Sequence, residues 1–231
     1  MKKAAVIGAS SGIGRALAKQ LSESGVTVGL AARRVELLKK LQKELPNPSY
    51  IKKIDVADAE RANILLKDLI DEMGQVDAVF ICSGVGYTES ELDRKKQTET
   101  IDVNVSGFVV CANLFLDHFV QNGRGHLVGI SSIAALRGSG SGALYSASKA
   151  FVSNYVKGLR RKMKSTDADI AVTEIQPGFV NTALAKGERL FWAASPEKAA
   201  AQIIKAVRKK KKHAYITKRW RVISWILKCF P

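Results

Sequence analysis

The chain has 231 residues, 46% of them hydrophobic and 25% charged, as is ordinary for a soluble globular protein with a sizeable core. Its three cysteines form neither a disulfide framework nor a metal-ligand spacing, so we expect no metal site and a cytoplasmic location. The net charge is +16, and eleven basic residues but no acidic ones follow residue 197, so the first 197 residues carry only +5. This distribution argues against a protein that binds nucleic acid along its body.

Short apolar segments alternate with helix-like segments along the chain. The predicted strands are 4–7, 26–31, 50–54, 76–81, 126–131, 169–176 and 213–217. The predicted helices are 15–24, 35–45, 58–73, 98–121, 143–164 and 196–210. This alternation predicts one α/β domain over residues 1–217, a doubly wound parallel sheet with helices on both faces. Ligands bind such sheets beyond the carboxyl ends of the strands, so residues that follow strands are the candidates for a site.

The first predicted strand ends in the glycine-rich segment Gly8-x-x-x-Gly12-x-Gly14, which leads into the first predicted helix. Glycines permit a tight turn and let the backbone approach a pyrophosphate, which the positive end of the helix then holds. An ordinary tight turn is the alternative, but the place directly after the first strand favours dinucleotide binding. The candidate phosphate contacts are Gly8, Ser10, Ser11, Gly12, Ile13 and Gly14.

Two arginines, Arg33 and Arg34, follow the second predicted strand, where an acidic residue would accept hydrogen bonds from the adenosine ribose of NAD(H). Guanidinium groups instead suit a phosphate, through paired, charge-assisted hydrogen bonds. We therefore expect NADP(H) to be favoured over NAD(H). The alternative is that both are solvated residues opening a surface helix, which is more credible for Arg34 than for Arg33.

Tyr145 and Lys149 lie four residues apart in the predicted helix 143–164, so their side chains share one face. A phenol is a poor acid or base at neutral pH, but a nearby ammonium group favours phenolate and lowers the pKa of the phenol. The pair could thus exchange a proton with a carbonyl or an alcohol. The alternative is an aromatic residue at a helix edge beside a solvated lysine.

Four motifs in this order resemble the short-chain dehydrogenase/reductase family: the glycine-rich segment, Ser132 thirteen residues before Tyr145, the Tyr145-x-x-x-Lys149 pair, and Pro177-Gly178. The likeness covers nearly the whole chain. It implies a Rossmann-type sheet of seven strands and hydride transfer between NAD(P) and a carbonyl or alcohol. The alternative is a cofactor-binding regulatory or scaffold protein of the same fold without turnover, against which the intact Ser132, Tyr145 and Lys149 argue.

The resemblance implies roles in the chemistry for four residues. Tyr145 matches the catalytic acid/base, and Lys149 matches its partner, which lowers the pKa of the tyrosine and binds the nicotinamide ribose. Ser132 matches the serine that hydrogen-bonds the substrate oxygen; Ser131 could reach that oxygen only if the loop were shifted. Asn104 matches an asparagine that anchors a water in a proton relay, and its alternative role is to bond the local backbone.

The resemblance also implies further contacts with the cofactor. Residues 55–56 match a pair at the adenine, and segment 177–182 matches the one that holds the carboxamide. Where the family usually has Asn-Asn-Ala-Gly after the fourth strand, this chain has Ile81-Cys82-Ser83-Gly84, which keeps the glycine and lacks the amides. We read Cys82 as a small buried residue. The candidate contacts from these segments are Asp55, Val56, Gly84, Pro177, Gly178, Val180 and Thr182.

Residues 183–195 occupy the place of the family's substrate lid. They are short and apolar through Leu184, Leu190, Phe191 and Trp192. Such a lid suits an apolar carbonyl or alcohol as the small-molecule substrate. Packing of the loop onto the core explains the same residues equally well.

The C-terminal segment, residues 218–231, combines basic residues with tryptophans and aliphatic residues, and it follows the basic run 208–212. This composition suits an anionic membrane surface, which would make the protein peripheral at the inner membrane surface. The alternative is a helix packed on a neighbouring subunit, with the lysines solvated. We expect a homodimer or homotetramer, and no stretch long and apolar enough to span a bilayer.

Overall fold

The computed structural model describes residues 1–87, 93–184 and 192–229, and these residues form one sheet of seven parallel strands. The strands are β1 (Lys3–Ile7), β2 (Thr27–Ala32), β3 (Ser49–Lys53), β4 (Ala78–Ile81), β5 (Arg124–Ile130), β6 (Asp169–Pro177) and β7 (His213–Ile216). Their order across the sheet is β3-β2-β1-β4-β5-β6-β7. The predicted parallel sheet is confirmed, and each predicted strand is present.

Helices cover both faces of this sheet. They are α1 (Gly12–Glu23), α2 (Val35–Glu44), α3 (Ala59–Met73), α4 (Arg94–Ile101), α5 (Gly107–Gln121), α6 (Ala143–Met163), α7 (Pro196–Arg208) and α8 (Lys218–Cys229). Leu17 of α1 and Ile203 of α7 belong to one hydrophobic core, together with the buried leucines of α2. Leu66 of α3, Phe115 of α5 and Val156 of α6 belong to a second core.

The two cores lie on opposite faces because β1 supplies both in alternation. Ala4 and Val6 belong to the first core, whereas Ala5 and Ile7 belong to the second. Successive side chains of a strand point to opposite faces, so the continuous apolar run that predicted this strand is what a strand buried on both sides requires. The sequence pattern therefore placed β1 in the interior of the sheet.

The direction in which the sheet grows reverses at β1. One edge of β1 pairs with β2 and the other edge pairs with β4. The connections that leave the carboxyl ends of β1 and β4 therefore run to opposite faces and leave a crevice between them. The residues that follow these two strands line that crevice.

The long helical stretch before β5 begins at Arg94, four residues before the predicted start at Thr98. Asp93 caps it, because its carboxylate accepts hydrogen bonds from the backbone N–H groups of Lys95 and Lys96 at 2.9 and 3.3 Å. A π-helical turn over residues 102–106 then joins α4 to α5. Our prediction missed the first turn because it is polar and lacks the apolar period of α5.

The stretch Arg94–Gln121 is long and apolar enough to cross a membrane, by length and composition, whereas we expected no such stretch. In the fold, its side chains Phe108, Phe115 and Phe119 are buried in the core on one face of the sheet. A helix buried against a sheet needs the same apolar composition as a membrane span. We therefore interpret this stretch as a core helix.

Residues 218–229 form α8, which packs against its own chain. The side chain of Trp220 is only 4% exposed, and its ring meets that of Phe179 edge-on, with 5.2 Å between the ring centroids. Val222 and Trp225 are 64% and 73% exposed. One side of α8 is thus part of the fold, and the other side presents apolar residues to solvent.

Candidate active site

A cavity of about 1000 Å³ opens at the carboxyl edge of the sheet. Every predicted site residue except Asn104 lines it. Those residues are Gly8, Ser10, Ser11, Gly12, Ile13, Gly14, Arg33, Arg34, Asp55, Val56, Gly84, Ser132, Tyr145, Lys149, Pro177, Gly178, Val180 and Thr182. Residues from six successive strand ends are therefore brought to one place.

The glycine-rich segment forms the turn from β1 into α1. Gly8 has a φ of +93°, and a Cβ at this position would lie 2.7 Å from the backbone nitrogen of Ser83, so a side chain would collide with the segment that follows β4. Ser11 is the N-cap residue of α1, yet its side chain makes no capping hydrogen bond. The first N–H groups of a helix lack partners within the helix, so this end of α1 can bind an anion.

Arg34 lies against this turn, and Arg33 points elsewhere. The Nη2 of Arg34 donates to the Oγ of Ser10 at 3.0 Å and to the Oγ of Ser11 at 2.7 Å. Arg33 donates to a carboxylate oxygen of Glu99 at 2.9 Å, and this hydrogen bond is the main reason that its pKa is raised. The sequence favours Arg33 over Arg34 as a functional residue; in the structure both have side-chain partners, and those of Arg34 belong to the phosphate turn.

Ser132, Tyr145 and Lys149 converge at the centre of the cavity. Ser132 follows β5, and Tyr145 lies in the first turn of α6, where the Ser132 hydroxyl is close enough to the phenol to lower its pKa. The Nζ of Lys149 lies 5.8 Å from the centroid of the Tyr145 ring and donates to the carbonyl oxygen of Ile130 at 3.3 Å. The predicted shared helix face therefore faces the loop that carries Ser132.

Burial dominates the pKa values of this pair. Removal from water raises the pKa of the Tyr145 phenol, and the nearby Ser132 hydroxyl offsets only part of that rise. Burial also lowers the pKa of Lys149 from 10.5 to about 8. We had predicted that Lys149 lowers the pKa of the tyrosine. In the protein alone the pKa of Tyr145 is raised, because the desolvation of the phenol is the larger effect.

Asn104 is buried in the π-helical turn, beside the cavity. Its Oδ1 accepts from the backbone N–H of Val85 at 2.8 Å, and its Nδ2 donates to the carbonyl oxygen of Val85 at 2.8 Å and to the Oγ of Ser148 at 3.0 Å. These bonds tie the segment after β4 to α6. The side chain thus bonds the backbone of a neighbouring segment, as the alternative role predicted. Its role in anchoring a water stays a prediction.

Ser131 is turned away from the reacting centre. Its Oγ donates to Glu174 at 2.9 Å and to the carbonyl oxygen of Ile175 at 3.1 Å, so it ties β5 to β6 at the strand end. Ser132 is therefore the serine whose hydroxyl faces Tyr145. The sequence analysis likewise preferred Ser132 over Ser131 as the serine that bonds the substrate oxygen.

The segment after β4 is shaped for close approach by a ligand. A Cβ at Gly84 would lie 3.1 Å from the Nζ of Lys149, so this glycine leaves space beside the lysine. The Oγ of Ser83 is buried and has no hydrogen-bond partner among the described residues. Burial raises the pKa of the Cys82 thiol to about 12, so this cysteine is not a nucleophile at neutral pH. With the open helix end of α1, these features fit a dinucleotide.

The cavity also has lining residues that the sequence did not indicate. Trp220 and Ile223 of α8 line it, together with Phe179 and Tyr87. A Cβ at Gly178 would overlap the indole of Trp220, so the glycine lets the tryptophan lie on the backbone. No local pattern indicates these contacts, because they join segments far apart in the chain.

The predicted lid is only partly described. Leu184 lines the cavity, and Trp192 is half exposed with Arg219 stacked over its ring at 5.7 Å. Leu190 and Phe191 lie outside the described residues. No group of three or more His, Cys, Asp or Glu side chains able to hold a metal occurs within residues 1–87, 93–184 and 192–229.

The chain is similar to known oxidoreductases. A sequence model described as short chain dehydrogenase matches residues 2–191. An uncharacterized oxidoreductase from Myxococcus xanthus is 38% identical over 188 residues, which cover 79% of this chain and 74% of that protein. An alcohol dehydrogenase from the archaeon Thermococcus sibiricus, complexed with 5-hydroxy-NADP, has a TM-score of 0.82 at 27% identity, over 94% of this chain and 96% of that one. A 3-ketoacyl-(acyl-carrier-protein) reductase from Brucella melitensis, complexed with NADH, shares the fold with a TM-score of 0.85 at 20% identity, over 93% and 96% of the two chains.

Proposed function

Because this chain belongs to the short-chain dehydrogenase family, we propose that it is an oxidoreductase that uses NADP(H) to interconvert a carbonyl and an alcohol. The observation that carries the proposal is the convergence of Ser132, Tyr145 and Lys149 on one cavity whose other end is the open N-terminus of α1. A nicotinamide cofactor bound there would supply or accept the hydride.

The chain's own residues would manage the oxygen and its proton. Ser132 would hydrogen-bond the substrate oxygen on which charge develops, and Tyr145 would give or take its proton. Lys149 would favour the phenolate by its charge and hold the nicotinamide ribose. Burial raises the pKa of Tyr145. In the complex with cofactor, the charge of Lys149 would therefore have to offset the desolvation of the phenolate before the pKa falls to a catalytic value.

The preference for NADP(H) is supported by Arg34 at the cavity wall. Arg34 lies over the serines of the phosphate turn, where a guanidinium could contact a 2′-phosphate. The relative from Thermococcus sibiricus is complexed with an NADP derivative. Steady-state kinetics with NADPH and NADH test this preference. Equal catalytic efficiency with both cofactors would contradict it.

The substrate is proposed to be apolar. The apolar side chains that line this cavity include Phe179, Leu184, Trp220 and Ile223. Apolar walls stabilise a ligand by removing apolar surface from water. NADPH consumption across aliphatic and aromatic aldehydes and ketones of increasing polarity is the measurement, and a preference for small polar carbonyls would contradict the proposal.

Tyr145→Phe tests the acid/base role. The variant should lose at least ~100-fold in kcat, because general acid–base catalysis contributes that much. Tyr155→Phe on the same helix is the control, since Tyr155 bonds Asn113 and does not line the cavity. A Tyr145→Phe enzyme with near-full turnover would overturn the assignment. If the wild type binds the cofactor and turns over no carbonyl or alcohol, the scaffold alternative is favoured.

We also propose that the protein is cytoplasmic and touches anionic membranes through α8. The exposed Val222 and Trp225 lie beside the exposed Arg219 and Arg221, a combination that suits a lipid surface. Pelleting with anionic vesicles is the test, and Trp225→Glu should reduce it while leaving Trp220 in place. No pelleting of the wild type would remove the idea. The expected homodimer or homotetramer is tested by light scattering.

A further inference from the structure

Three side chains from separate parts of the chain meet at the rim of the cavity. Arg33 follows β2, Glu99 lies in the last turn of α4, and Tyr87 follows β4. One carboxylate oxygen of Glu99 accepts from Arg33 at 2.9 Å, and the other accepts from the hydroxyl of Tyr87. Arg33 and Tyr87 line the cavity, whereas Glu99 joins them from beside it.

The geometry of Glu99 is fixed from two sides. Its carboxylate cannot turn away from Arg33 without giving up the hydrogen bond from Tyr87. The side chains of Arg33 and Glu99 are 49% and 32% exposed, so the pair is only partly screened by water. The carboxylate of Asp55 also acts on Arg33 electrostatically. Arg33 therefore carries a positive charge that two acidic groups already offset.

The neighbouring Arg34 differs in its partners. It donates to the hydroxyls of Ser10 and Ser11, which carry no charge. A phosphate that approaches Arg34 thus meets a cation that forms no ion pair with any carboxylate in the described part of the chain. A phosphate that approaches Arg33 must displace a carboxylate or lie next to it, and like charges at short range repel.

We propose that Glu99 is a positioning residue that limits the discrimination between NADP(H) and NAD(H). Its carboxylate withholds Arg33 from a 2′-phosphate and leaves Arg34 as the main phosphate contact. The role rests on the proposed use of a nicotinamide dinucleotide by this cavity. If Glu99 has this role, removing its charge should strengthen the binding of ligands with a 2′-phosphate more than the binding of ligands without one.

The test is a binding measurement that needs no turnover. Glu99→Gln keeps the shape of the side chain and removes its charge. Isothermal titration calorimetry at low salt measures the affinities of adenosine 2′,5′-bisphosphate and of AMP. For each protein, the ratio is the affinity for the bisphosphate divided by the affinity for AMP. The ratio should rise about fivefold in Glu99→Gln, a typical effect of one relieved charge at a partly exposed site. Glu72→Gln, which removes the same charge from the Lys52–Glu72 pair outside the cavity, should leave the ratio unchanged.

Two further results decide whether the effect passes through Arg33. With Arg33→Gln as background, the additional change Glu99→Gln should raise the ratio less than about twofold, because no guanidinium is left to release. An undiminished rise there, or an unchanged ratio in a single variant that binds AMP as the wild type does, would overturn the proposal. A loss of local structure would weaken both ligands together, so the affinity for AMP distinguishes it. A wild-type ratio of one would instead contradict the preference for NADP(H), whatever Glu99→Gln does.

Discussion

Lys149 has an ammonium group that is almost completely removed from water. Burial lowers its pKa from 10.5 to about 8. The unfolded chain therefore binds more protons than the folded protein between about pH 8 and pH 10.5, and the free energy of unfolding rises with pH across that window. Below pH 8 the folded protein bears the full cost of a buried charge.

Replacing this lysine should therefore exchange activity for stability. We expect Lys149→Met to raise the free energy of unfolding at neutral pH by up to about 3 kcal/mol while turnover is lost. The gain should shrink towards pH 10, where the wild-type lysine becomes neutral. Urea unfolding at neutral and alkaline pH measures both effects.

The matched control is Lys157→Met, on the exposed side of α6. It should change the free energy of unfolding by less than ~0.5 kcal/mol, with no dependence on pH. If Lys149→Met were less stable than the wild type at neutral pH, the packing of the lysine stem would outweigh the buried charge, and the prediction would be wrong.

At the level of elements, Trp220 is the large buried residue among the described side chains of α8. Trp220 is buried against Phe179 and the backbone of Gly178, whereas Trp225 on the same helix is 73% exposed. The helix also supplies part of the cavity wall. We expect that loss of the Trp220 contacts would let this helix detach without unfolding the sheet.

Trp220→Ala should release α8 locally. Truncating a buried tryptophan removes about 3–5 kcal/mol of packing, so exchange of the amide hydrogens of residues 218–225 should accelerate at least ~10-fold. Hydrogen exchange with mass spectrometry measures this, with the sheet as an internal reference. Trp225→Ala is the matched control and should leave the exchange unchanged. Equal protection in both variants would mean that other contacts hold α8.

For the molecule as a whole, acid stability depends on a buried histidine in the sheet. The Nε2 of His126 lies 2.8 Å from the hydroxyl of Thr173, which itself donates to the carbonyl oxygen of Lys211. Burial and the nearby charge of Lys210 lower the pKa of His126 from 6.5 to about 4. The unfolded chain therefore binds more protons between these pH values, and stability is lost as the pH falls through this window.

His126→Gln should flatten this loss, because an amide can keep the hydrogen bond without titrating. Between pH 6.5 and 4 the wild type should lose up to about 3 kcal/mol more than the variant. Urea unfolding of both proteins at neutral and acidic pH gives the difference in their free energies of unfolding. The carboxylates titrate alike in both proteins, so their contribution cancels in this difference. A stability difference that stays constant with pH would contradict the prediction.

Local patterns predicted most of this fold and much of the cavity. The alternation in β1, the glycine-rich turn and the spacing of Tyr145 and Lys149 are each contained in a few neighbouring residues. The pairing of Arg33 with Glu99 joins positions 66 apart, and no spacing rule indicates it. The same holds for Trp220 on Gly178. The raised pKa of Tyr145 also escaped prediction, because burial depends on every element around the cavity.

The protonated thiol in the cavity has a consequence for oxidative stress. Burial raises the pKa of both Cys82 and Cys111 to about 12, so almost none of either thiol is thiolate in the cell. Peroxide attacks thiolate and leaves thiols largely untouched. Cys82, which lines the cavity, is therefore resistant to sulfenic acid formation. Peroxide should therefore not inactivate the cavity through Cys82, in contrast to oxidoreductases whose active-site cysteine is reactive.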